Sequence, residues 1–220
     1  KNSWWPEGDL VISNGSVDVD PLPRLLIPVE TAPGETRVAA TPDTVKKFIS
    51  LGCSVSVERG AGAASGYLDE AYAQQGAELV GAGDESIWSQ ADVLLCVQSP
   101  APETLARLRQ GALVVGLLSP YSNGELAASL QSRGLSAMAL ELLPRISRAQ
   151  SADALSSQAN IAGYKSVLLA SAALDRYFPM LMTAAGTVQP AKVVILGAGV
   201  AGLQAVATAR RLGAVVYVSD

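Results

Sequence analysis

The sequence predicts an α/β protein with two doubly wound parallel-sheet domains joined by a long helix, the second domain being truncated at its C-terminus. Short apolar runs of strand type alternate along the chain with helical patterns of about ten residues, which is typical of parallel strands connected by crossover helices. The strand runs are apolar throughout instead of alternating with polar residues. This pattern favours sheets that are covered by helices on both faces.

Composition limits the classes of function. Of the 220 residues, 49% are hydrophobic and 16% are charged, so the chain has enough apolar material for a buried core. The net charge of -4 argues against a nucleic-acid partner, because phosphates favour a basic surface. The sequence has no histidine, which removes the commonest acid/base group at neutral pH and the commonest metal ligand. We therefore expect no metal site.

The cysteines and tryptophans are assigned to packing. Cys53 and Cys96 lie in apolar runs, which favours core thiols in a reducing compartment over a disulfide. Trp4, Trp5 and Trp88 are expected to pack or to lie at the surface instead of stacking on a ligand. No signal-peptide pattern is present and no apolar run reaches the roughly 18 residues of a membrane span, so we expect no direct membrane insertion by this segment.

Residues 24–160 form the first predicted domain, after an N-terminal extension at 1–23 that shows no sustained period. The strand-type runs of this domain are 25–29, 53–58, 92–97, 112–118 and 135–140. Helices are predicted between Thr41 and Gly52 and at 69–75, 102–109 and 123–132. Thr41 is placed to cap the first helix, and Gly52 is suited to end it in a left-handed conformation.

A helical pattern at 161–178 is placed to bridge the two domains, and the bridging helix with its linker is assigned to 161–185. This pattern follows a polar stretch at 144–160, within which we interpret residues 144–157 as a loop. A second predicted loop, at 182–191, leads into the incomplete second domain, which is assigned to 186–220.

The second domain begins with a glycine fingerprint. The run VVILGAGVAG places Gly197, Gly199 and Gly202 at G-x-G-x-x-G spacing, after an apolar strand at 192–196 and at the start of an alanine-rich helix. Gly197 permits a tight turn, Gly199 lets a pyrophosphate approach the backbone, and Gly202 lets the helix pack on the strand. Free N–H groups at the helix N-terminus favour phosphate. The arrangement is typical of a Rossmann-like dinucleotide site, although a glycine-rich turn in an ordinary α/β protein has the same spacing.

A second strand, at 215–218, leads to Asp220, where an acid is expected to receive the adenosine ribose hydroxyls. A carboxylate at this position also repels a 2′-phosphate, which favours NAD over NADP. The predicted domain holds only two strands, whereas a Rossmann half needs more to cover its helices. We therefore expect the natural chain to continue for on the order of a hundred further residues beyond Asp220.

The polar loop holds candidate ligand contacts. Arg145 and Arg148 are placed to reach a phosphate or an amide oxygen, and Gln150, Asp153 and Ser156 are suited to hydrogen-bond a carboxamide. From the residues alone, the alternative is a solvated interdomain loop whose serine and aspartate side chains cap the next helix.

Two long strings carry a resemblance to a known family. LLPRISRAQSADALSSQANIAGYK and MTAAGTVQPAKVVILGAGVAGLQA closely resemble the α subunit, or NAD-binding domain I, of proton-translocating NAD(P) transhydrogenase. IPVETAPGETRVAATPDTVKKF and VERGAGAASGY look like the opening of the same family, which is shared with alanine dehydrogenase. The resemblance covers roughly residues 24–220.

The resemblance implies that the loop and the glycine turn bind opposite ends of NAD(H). On the loop, the residues implied to orient the nicotinamide and its carboxamide are Arg145, Ile146, Ser147, Gln150, Asp153 and Ser156. On the turn, those implied to contact the pyrophosphate and neighbouring ribose are Gly197, Gly199, Val200, Ala201 and Gly202. Asp220 matches the acid expected on the adenosine ribose.

The family also implies a reaction and partners. Hydride passes directly from NADH bound here to NADP+ on a separate NADP(H)-binding domain, and a membrane-spanning domain couples the transfer to proton movement. Such a transfer needs alignment of two rings and exclusion of water but no protein acid or base, so Gln150 and Asp153 act by positioning. The resemblance further implies a homodimer held, through its complex, at the cytoplasmic side of the inner or an equivalent membrane.

Two other functions compete with this interpretation. An alanine dehydrogenase needs a cationic clamp and a general acid; Arg37 stands at the clamp position, but Gln98 replaces the family's lysine and LLSPYSN (117–123) supplies no histidine. Arg37 is then better interpreted as a structural or interface residue paired with Glu30 or Glu35. The second alternative is a non-catalytic NAD-binding module, which would not need the RISRAQS loop.

Overall fold

The computed structural model describes residues 22–220. Residues 1–21 of the predicted extension, with Trp4 and Trp5, lie outside the described residues. Two sheets of parallel strands and one antiparallel hairpin make up the strand content of the described residues, and a long helix connects the first sheet to the second.

The first sheet is entirely parallel and has the order β3-β2-β1-β4-β5-β6. This is the order of a doubly wound sheet, in which the chain starts at the centre and winds outward in both directions. The predicted fold class is confirmed. The strands are β1 (Arg24–Ile27), β2 (Ser54–Glu58), β3 (Glu78–Val80), β4 (Val93–Gln98), β5 (Leu113–Leu117) and β6 (Ser136–Ala139).

Five helices cover this sheet: α1 (Pro42–Ser50), α2 (Asp69–Gln74), α3 (Glu85–Gln90), α4 (Pro102–Ala106) and α5 (Gly124–Arg133). The predicted cap on α1 is confirmed, because the Thr41 hydroxyl accepts a hydrogen bond from Thr44 N at 3.3 Å. Gly52, which follows the C-cap residue Leu51, has a φ of 92°, which glycine adopts without the steric cost of a side chain. The sequence did not predict β3 and α3.

The hydrophobic core of the first domain lies on both faces of the sheet. Leu26 packs into the cluster on one face, while its neighbour Ile27 packs into the cluster on the other. This alternation follows from the period of two in strand side chains. Trp88 is 2% exposed and donates to Glu58 Oε1 at 3.2 Å, so its predicted packing role is confirmed. Cys96 is buried, and Cys53 is half-buried and also a free thiol.

The bridging helix, α6 (Ala154–Ala173), differs from the prediction at both ends. It begins at Ala154 instead of residue 161, because Asp153 caps it by accepting a hydrogen bond from Ser156 N at 2.8 Å. The interpretation of 144–157 as one loop was therefore wrong. That stretch contains a 3-10 helix (Ser147–Ala152) and the first turns of α6. Among residues 22–220, no helix combines the length and apolar character that crossing a membrane requires.

The second unit begins with an antiparallel hairpin of β7 (Leu181–Thr183) and β8 (Gly186–Val188), where a loop was predicted at 182–191. The prediction of one loop over the whole of 182–191 was wrong. The second unit continues with β9 (Lys192–Leu196), α7 (Val200–Arg211) and β10 (Val215–Ser219). β9 and β10 pair in parallel, and both strands lie where the sequence predicted them. A small core packs beneath them from α6, α7 and the intervening chain: Val167, Phe178, Ala191, Ala205 and Ala209.

Candidate functional site

The glycine turn between β9 and α7 has a backbone that side chains would disrupt. Gly197 has a φ of 96°, in the left-handed region that favours glycine. A Cβ at Gly202 would lie 1.9 Å from the carbonyl oxygen of Gly197. A Cβ at Gly199, by contrast, would meet no protein atom within 4 Å. Gly197 and Gly202 therefore shape the turn itself, whereas the space beside Gly199 is open to a ligand.

Asp220 is held against this turn. The strand β10 carries it to the same edge of the sheet as the end of β9, and Asp220 Oδ1 accepts a hydrogen bond from Ala198 N at 3.0 Å. Gly197 N donates to Ser219 O at 2.7 Å. The N-terminus of α7, with Gly199 as its cap residue, has no side-chain cap. The turn thus places the N–H groups at the start of α7 beside one carboxylate, that of Asp220 at the end of β10.

The polar loop is ordered by the start of α6. Asp153 accepts hydrogen bonds from both Ser156 N and Ser156 Oγ, at 2.8 and 2.5 Å. These bonds, led by the one from the hydroxyl, and the nearby charge of Arg145 hold the pKa of the Asp153 carboxyl below its usual value. The hydrogen bond from Ser156 N to Asp153 is the helix-capping contact that the alternative of a solvated interdomain loop predicted. Arg145 and Gln150 are exposed.

A cleft of about 480 Å³ joins the loop to the glycine turn. Its walls come from Arg145, Leu155, Ser156 and Ala159 on one side and from Leu196, Gly197, Gly199, Val200, Ala201 and Gly202 on the other. A neighbouring cavity of about 400 Å³ is lined by Leu143, Pro144, Arg145, Ile146, Ala149, Gln150, Asp153 and Ser156. Arg145 and Ser156 line both cavities, so the two cavities adjoin at these residues.

The structure brings most of the predicted site residues to these two cavities. Arg145 and Ser156 lie at the junction, the turn residues lie at one end, and Ile146, Gln150 and Asp153 lie at the other. Ser147 and Asp220 line neither cavity. Among residues 22–220, no group of His, Cys, Asp or Glu side chains is arranged to hold a metal ion.

Two contacts that fix the cleft were not predicted from the sequence. A Cβ at Gly163 of α6 would lie 2.1 Å from Ala201 O, so the bridging helix crosses α7 at its first turn with almost no gap. Asn160 Nδ2 donates to Gln204 Oε1 at 3.2 Å beside this crossing. The only signal for the crossing was a glycine inside a helical pattern, which often marks close packing.

A charged network lies on the other side of α6. Arg37 pairs with Glu35 through Nε and Nη2, at 2.8 and 2.6 Å, which confirms one of its two predicted partners. The hydrogen bond from Arg37 lowers the pKa of Glu35 to about 2. Arg37 Nη1 donates to Gln158 Oε1 at 3.0 Å, and Gln98 Nε2 donates to Glu35 Oε2 at 2.8 Å. Glu30, the other predicted partner, instead accepts from backbone N–H groups, including Gln98 N at 3.1 Å.

Comparison with known protein families shows the family of this chain. Residues 26–162 match the family described as alanine dehydrogenase/PNT, N-terminal domain, and residues 166–220 match alanine dehydrogenase/PNT, C-terminal domain. The chain belongs to the alanine dehydrogenase/PNT family. The family resemblance inferred from the motifs is confirmed.

Within the alanine dehydrogenase/PNT family, the chain is similar to transhydrogenase subunits. It is 46% identical over 202 residues to an NAD(P) transhydrogenase subunit alpha of Rhodospirillum rubrum, and the match covers 90% of this chain and 52% of the relative. The structure of transhydrogenase from Sinorhizobium meliloti superposes with a TM-score of 0.85 at 49% identity, covering 90% of this chain and 58% of that chain.

Alanine dehydrogenase is a more distant member of the alanine dehydrogenase/PNT family. The enzyme of Bacillus subtilis is 33% identical over 197 residues, covering 88% of this chain and 51% of the relative. The chain spans about half the length of the curated relatives it matches.

Proposed function

We propose that this chain is the NAD(H)-binding component of a proton-translocating NAD(P) transhydrogenase. The single observation that carries the proposal is the pair of adjoining cavities, one lined by the glycine turn and the other by the polar loop. A nicotinamide dinucleotide has two matching parts. Its pyrophosphate suits the helix N–H groups at the glycine turn, and its carboxamide suits the donors and acceptors of the polar loop. Similarity to transhydrogenase subunits over 90% of the chain supports the same function.

The residues of the turn would hold the phosphate and adenosine portion. The start of α7 has no side-chain cap, so its first backbone N–H groups are available to a phosphate, and a Cβ at Gly199 would meet no protein atom within 4 Å. Val200 and Ala201 form the adjoining wall. Asp220, fixed by Ala198 N, would accept from the adenosine ribose and would repel a 2′-phosphate. The turn therefore suits NAD(H) better than NADP(H).

The loop residues would orient the ring. Arg145, Gln150 and Ser156 offer donors and acceptors to a carboxamide, and Asp153 fixes Ser156 through two hydrogen bonds. Ile146 supplies an apolar wall of the same cavity, and Ser147 begins the 3-10 helix that carries Gln150. The dinucleotide, when bound, supplies the hydride. The protein supplies alignment and exclusion of water, which are the requirements of direct transfer between two rings.

The acceptor and the proton step belong to partners. An NADP(H)-binding domain would present NADP+ at the loop end of the cleft, and a membrane-spanning domain would couple the transfer to proton movement. The relatives are named as an alpha subunit of a transhydrogenase, which supports assembly with further subunits. We further propose a homodimer placed at the cytoplasmic side of the inner or an equivalent membrane through this complex.

The geometry around Arg37 argues against alanine dehydrogenase activity. Its guanidinium is already paired with Glu35 and with Gln158, so it is not free to clamp a substrate carboxylate. Gln98 cannot carry the positive charge of a lysine at its position. A non-catalytic NAD-binding module would need only the glycine turn and would leave the cavity of the polar loop without a role.

The proposal is tested with the intact protein and the NADP-binding subunit of a transhydrogenase. NADH binding is measured by fluorescence titration, and hydride transfer is followed as reduction of thio-NADP+ by NADH. We expect tight NADH binding, weaker NADPH binding, and reduction only when both proteins are present. Oxidation of alanine with NAD+ is the control reaction. Binding without reduction would favour the non-catalytic module, and alanine oxidation would favour the dehydrogenase.

A further inference from the structure

The network around Arg37 ties the first domain to the helix that forms one wall of the cleft. Arg37 lies in the segment after β1, and Gln158 lies on the second turn of α6. The hydrogen bond from Arg37 Nη1 to Gln158 Oε1 is 3.0 Å long and joins residues that are 121 positions apart in sequence. It therefore connects two elements that the chain itself does not hold together.

The direction of this hydrogen bond is fixed by Glu35. The carboxylate of Glu35 accepts from Arg37 Nε and Nη2 and from Arg37 N, at 2.8, 2.6 and 2.9 Å. Because Nε and Nη2 are both bound to one carboxylate, the plane of the guanidinium is fixed, and Nη1 is the nitrogen that donates to Gln158. The Glu35 side chain is only 7% exposed, so solvent does not compete freely for it.

The other end of the network is anchored in the first sheet. Gln98, the last residue of β4, donates through Nε2 to Glu35 at 2.8 Å, and its backbone N donates to Glu30 at 3.1 Å. A chain of hydrogen bonds through Arg37 and Glu35 thus links Gln158 to Gln98, at the carboxyl edge of the parallel sheet.

Gln158 stands directly behind the cleft wall. Ser156 and Ala159, on either side of it in sequence, both line the cleft. Asn160 and Gly163 then fix the same helix to α7, through the bond to Gln204 and the contact with Ala201 O. The start of α6 is therefore held from both domains within a short stretch, by Arg37 from one and by α7 from the other.

We propose that Arg37 is a positioning residue for hydride transfer: acting through Gln158, it sets where the loop holds the nicotinamide ring relative to the glycine turn. This inference rests on the proposed function. Arg37 lines neither cavity of the cleft, so its effect passes through α6. Hydride transfer depends steeply on ring alignment, and a displacement of about 1 Å costs on the order of 100-fold in rate. Binding of the adenosine half does not depend on this alignment.

The expected signature is a loss of turnover with little loss of binding. In R37A and Q158A, we expect the rate of thio-NADP+ reduction at saturating nucleotides to fall by roughly 10-fold or more. The dissociation constant of NADH should change less than about 3-fold, because the contacts at the glycine turn are intact. R37K should not restore the rate, since an ammonium cannot bind Glu35 along one edge and also direct a donor to Gln158.

The matched control is R109A. Arg109 also pairs with a carboxylate of the first domain, Asp92 Oδ1, at 2.7 Å, and its side chain is 44% exposed against 36% for Arg37. It does not line the cleft, and its loss should leave turnover unchanged. If R37A fails to fold, Q158A decides the question, because it removes no charge and leaves the Glu35 pair intact.

A double-mutant cycle separates positioning from general destabilisation. If Arg37 acts through Gln158, R37A/Q158A should be no slower than the slower single variant. The inference is overturned if Q158A turns over at the normal rate, if R37K restores the rate, or if the effects of the two substitutions multiply. Unmodified protein that binds no NADH or reduces no thio-NADP+ would instead refute the proposed function itself.

Discussion

The carbonyl oxygen of Gly197 lies so close to Gly202 that a Cβ on Gly202 would be 1.9 Å from it. The obstructing atom belongs to the backbone, so no side-chain rotation can relieve the contact. The turn between β9 and α7 consequently depends on the absence of a side chain at Gly202, whereas Gly199 faces open space.

These two glycines should respond differently to the same substitution. We expect G202A to unfold or displace the turn, lowering the free energy of unfolding by about 1–3 kcal/mol, the usual cost of overpacking, and weakening NADH binding at least about 10-fold. G199A should leave stability nearly unchanged but weaken NADH binding, because its methyl group would occupy the space for the pyrophosphate. Chemical denaturation and NADH titration measure the two effects. A G199A variant with normal affinity would show that no phosphate lies there.

The crossing of α6 and α7 should be similarly intolerant of added volume. In G163A, the new Cβ would lie 2.1 Å from Ala201 O, so the helices must separate. We expect a loss of about 1–3 kcal/mol in the free energy of unfolding, together with weaker NADH binding, because Ala201 lines the cleft.

The control for this crossing is G124A. Gly124 also lies in a helix, α5, but a Cβ there would meet nothing within 4 Å. Since alanine is the better helix former, G124A should be neutral or slightly stabilising in thermal and chemical denaturation. Equal destabilisation by G163A and G124A would mean that the crossing is looser than the structure indicates.

The features that could be predicted from sequence are local ones. Strands such as β4 and β9 are continuous apolar runs between helical patterns, and the turn at Gly197 has a fixed spacing to Gly202. By contrast, β3 has only three residues, one of them the polar Glu78, and α3 has only six. Elements this short show no measurable period, and their positions are set by packing against neighbours.

The errors in the bridging region have a different cause. Residues 154–157 were interpreted as part of a loop, yet they are helical because Asp153 caps α6 at this point. Their polar side chains are tolerated because the cleft leaves one side of the helix open. The contact between Arg37 and Gln158 has no local signal at all, since it joins residues 121 positions apart. Such contacts follow from the tertiary arrangement, which neither propensity nor spacing encodes.

The ion pair of Glu35 and Arg37 predicts a pH dependence of stability. The pKa of Glu35 is lowered in the folded protein from 4.5 to about 2, chiefly by the hydrogen bond from Arg37. A carboxyl with a lowered folded pKa contributes stability that is present above its unfolded pKa and lost as the pH falls toward the folded value. The contribution of Glu35 should therefore be lost between about pH 5 and pH 2.

This dependence is measured by thermal denaturation of the unmodified protein and E35Q across that range. At pH 7, E35Q should be less stable by about 1.5–3 kcal/mol, the range for hydrogen bonds to a charged group, and the difference should shrink as the pH falls. E103Q, which changes an exposed glutamate of α4, should track the unmodified protein throughout. A gap between E35Q and the unmodified protein that persists unchanged down to about pH 2 would contradict the assignment.

The last prediction concerns the choice between NADH and NADPH at Asp220. Its carboxylate is fixed by Ala198 N at 3.0 Å and stands at the end of β10, beside the glycine turn. In D220N the side chain keeps a hydrogen-bond acceptor for Ala198 N but loses the charge that would repel a 2′-phosphate. We expect NADH to bind more weakly and NADPH more tightly, so that the preference for NADH falls roughly 10-fold or more.

Fluorescence titrations with both nucleotides measure this preference at low and high salt. Because the discrimination against the 2′-phosphate is electrostatic, added salt should reduce the difference in NADH preference between the unmodified protein and D220N. D175N, which neutralises an exposed aspartate distant in sequence from the turn, controls for the change in net charge and should keep the original preference. If D220N and D175N shift the preference equally, long-range charge accounts for it. A carboxylate at Asp220 would then have no specific place on the ribose.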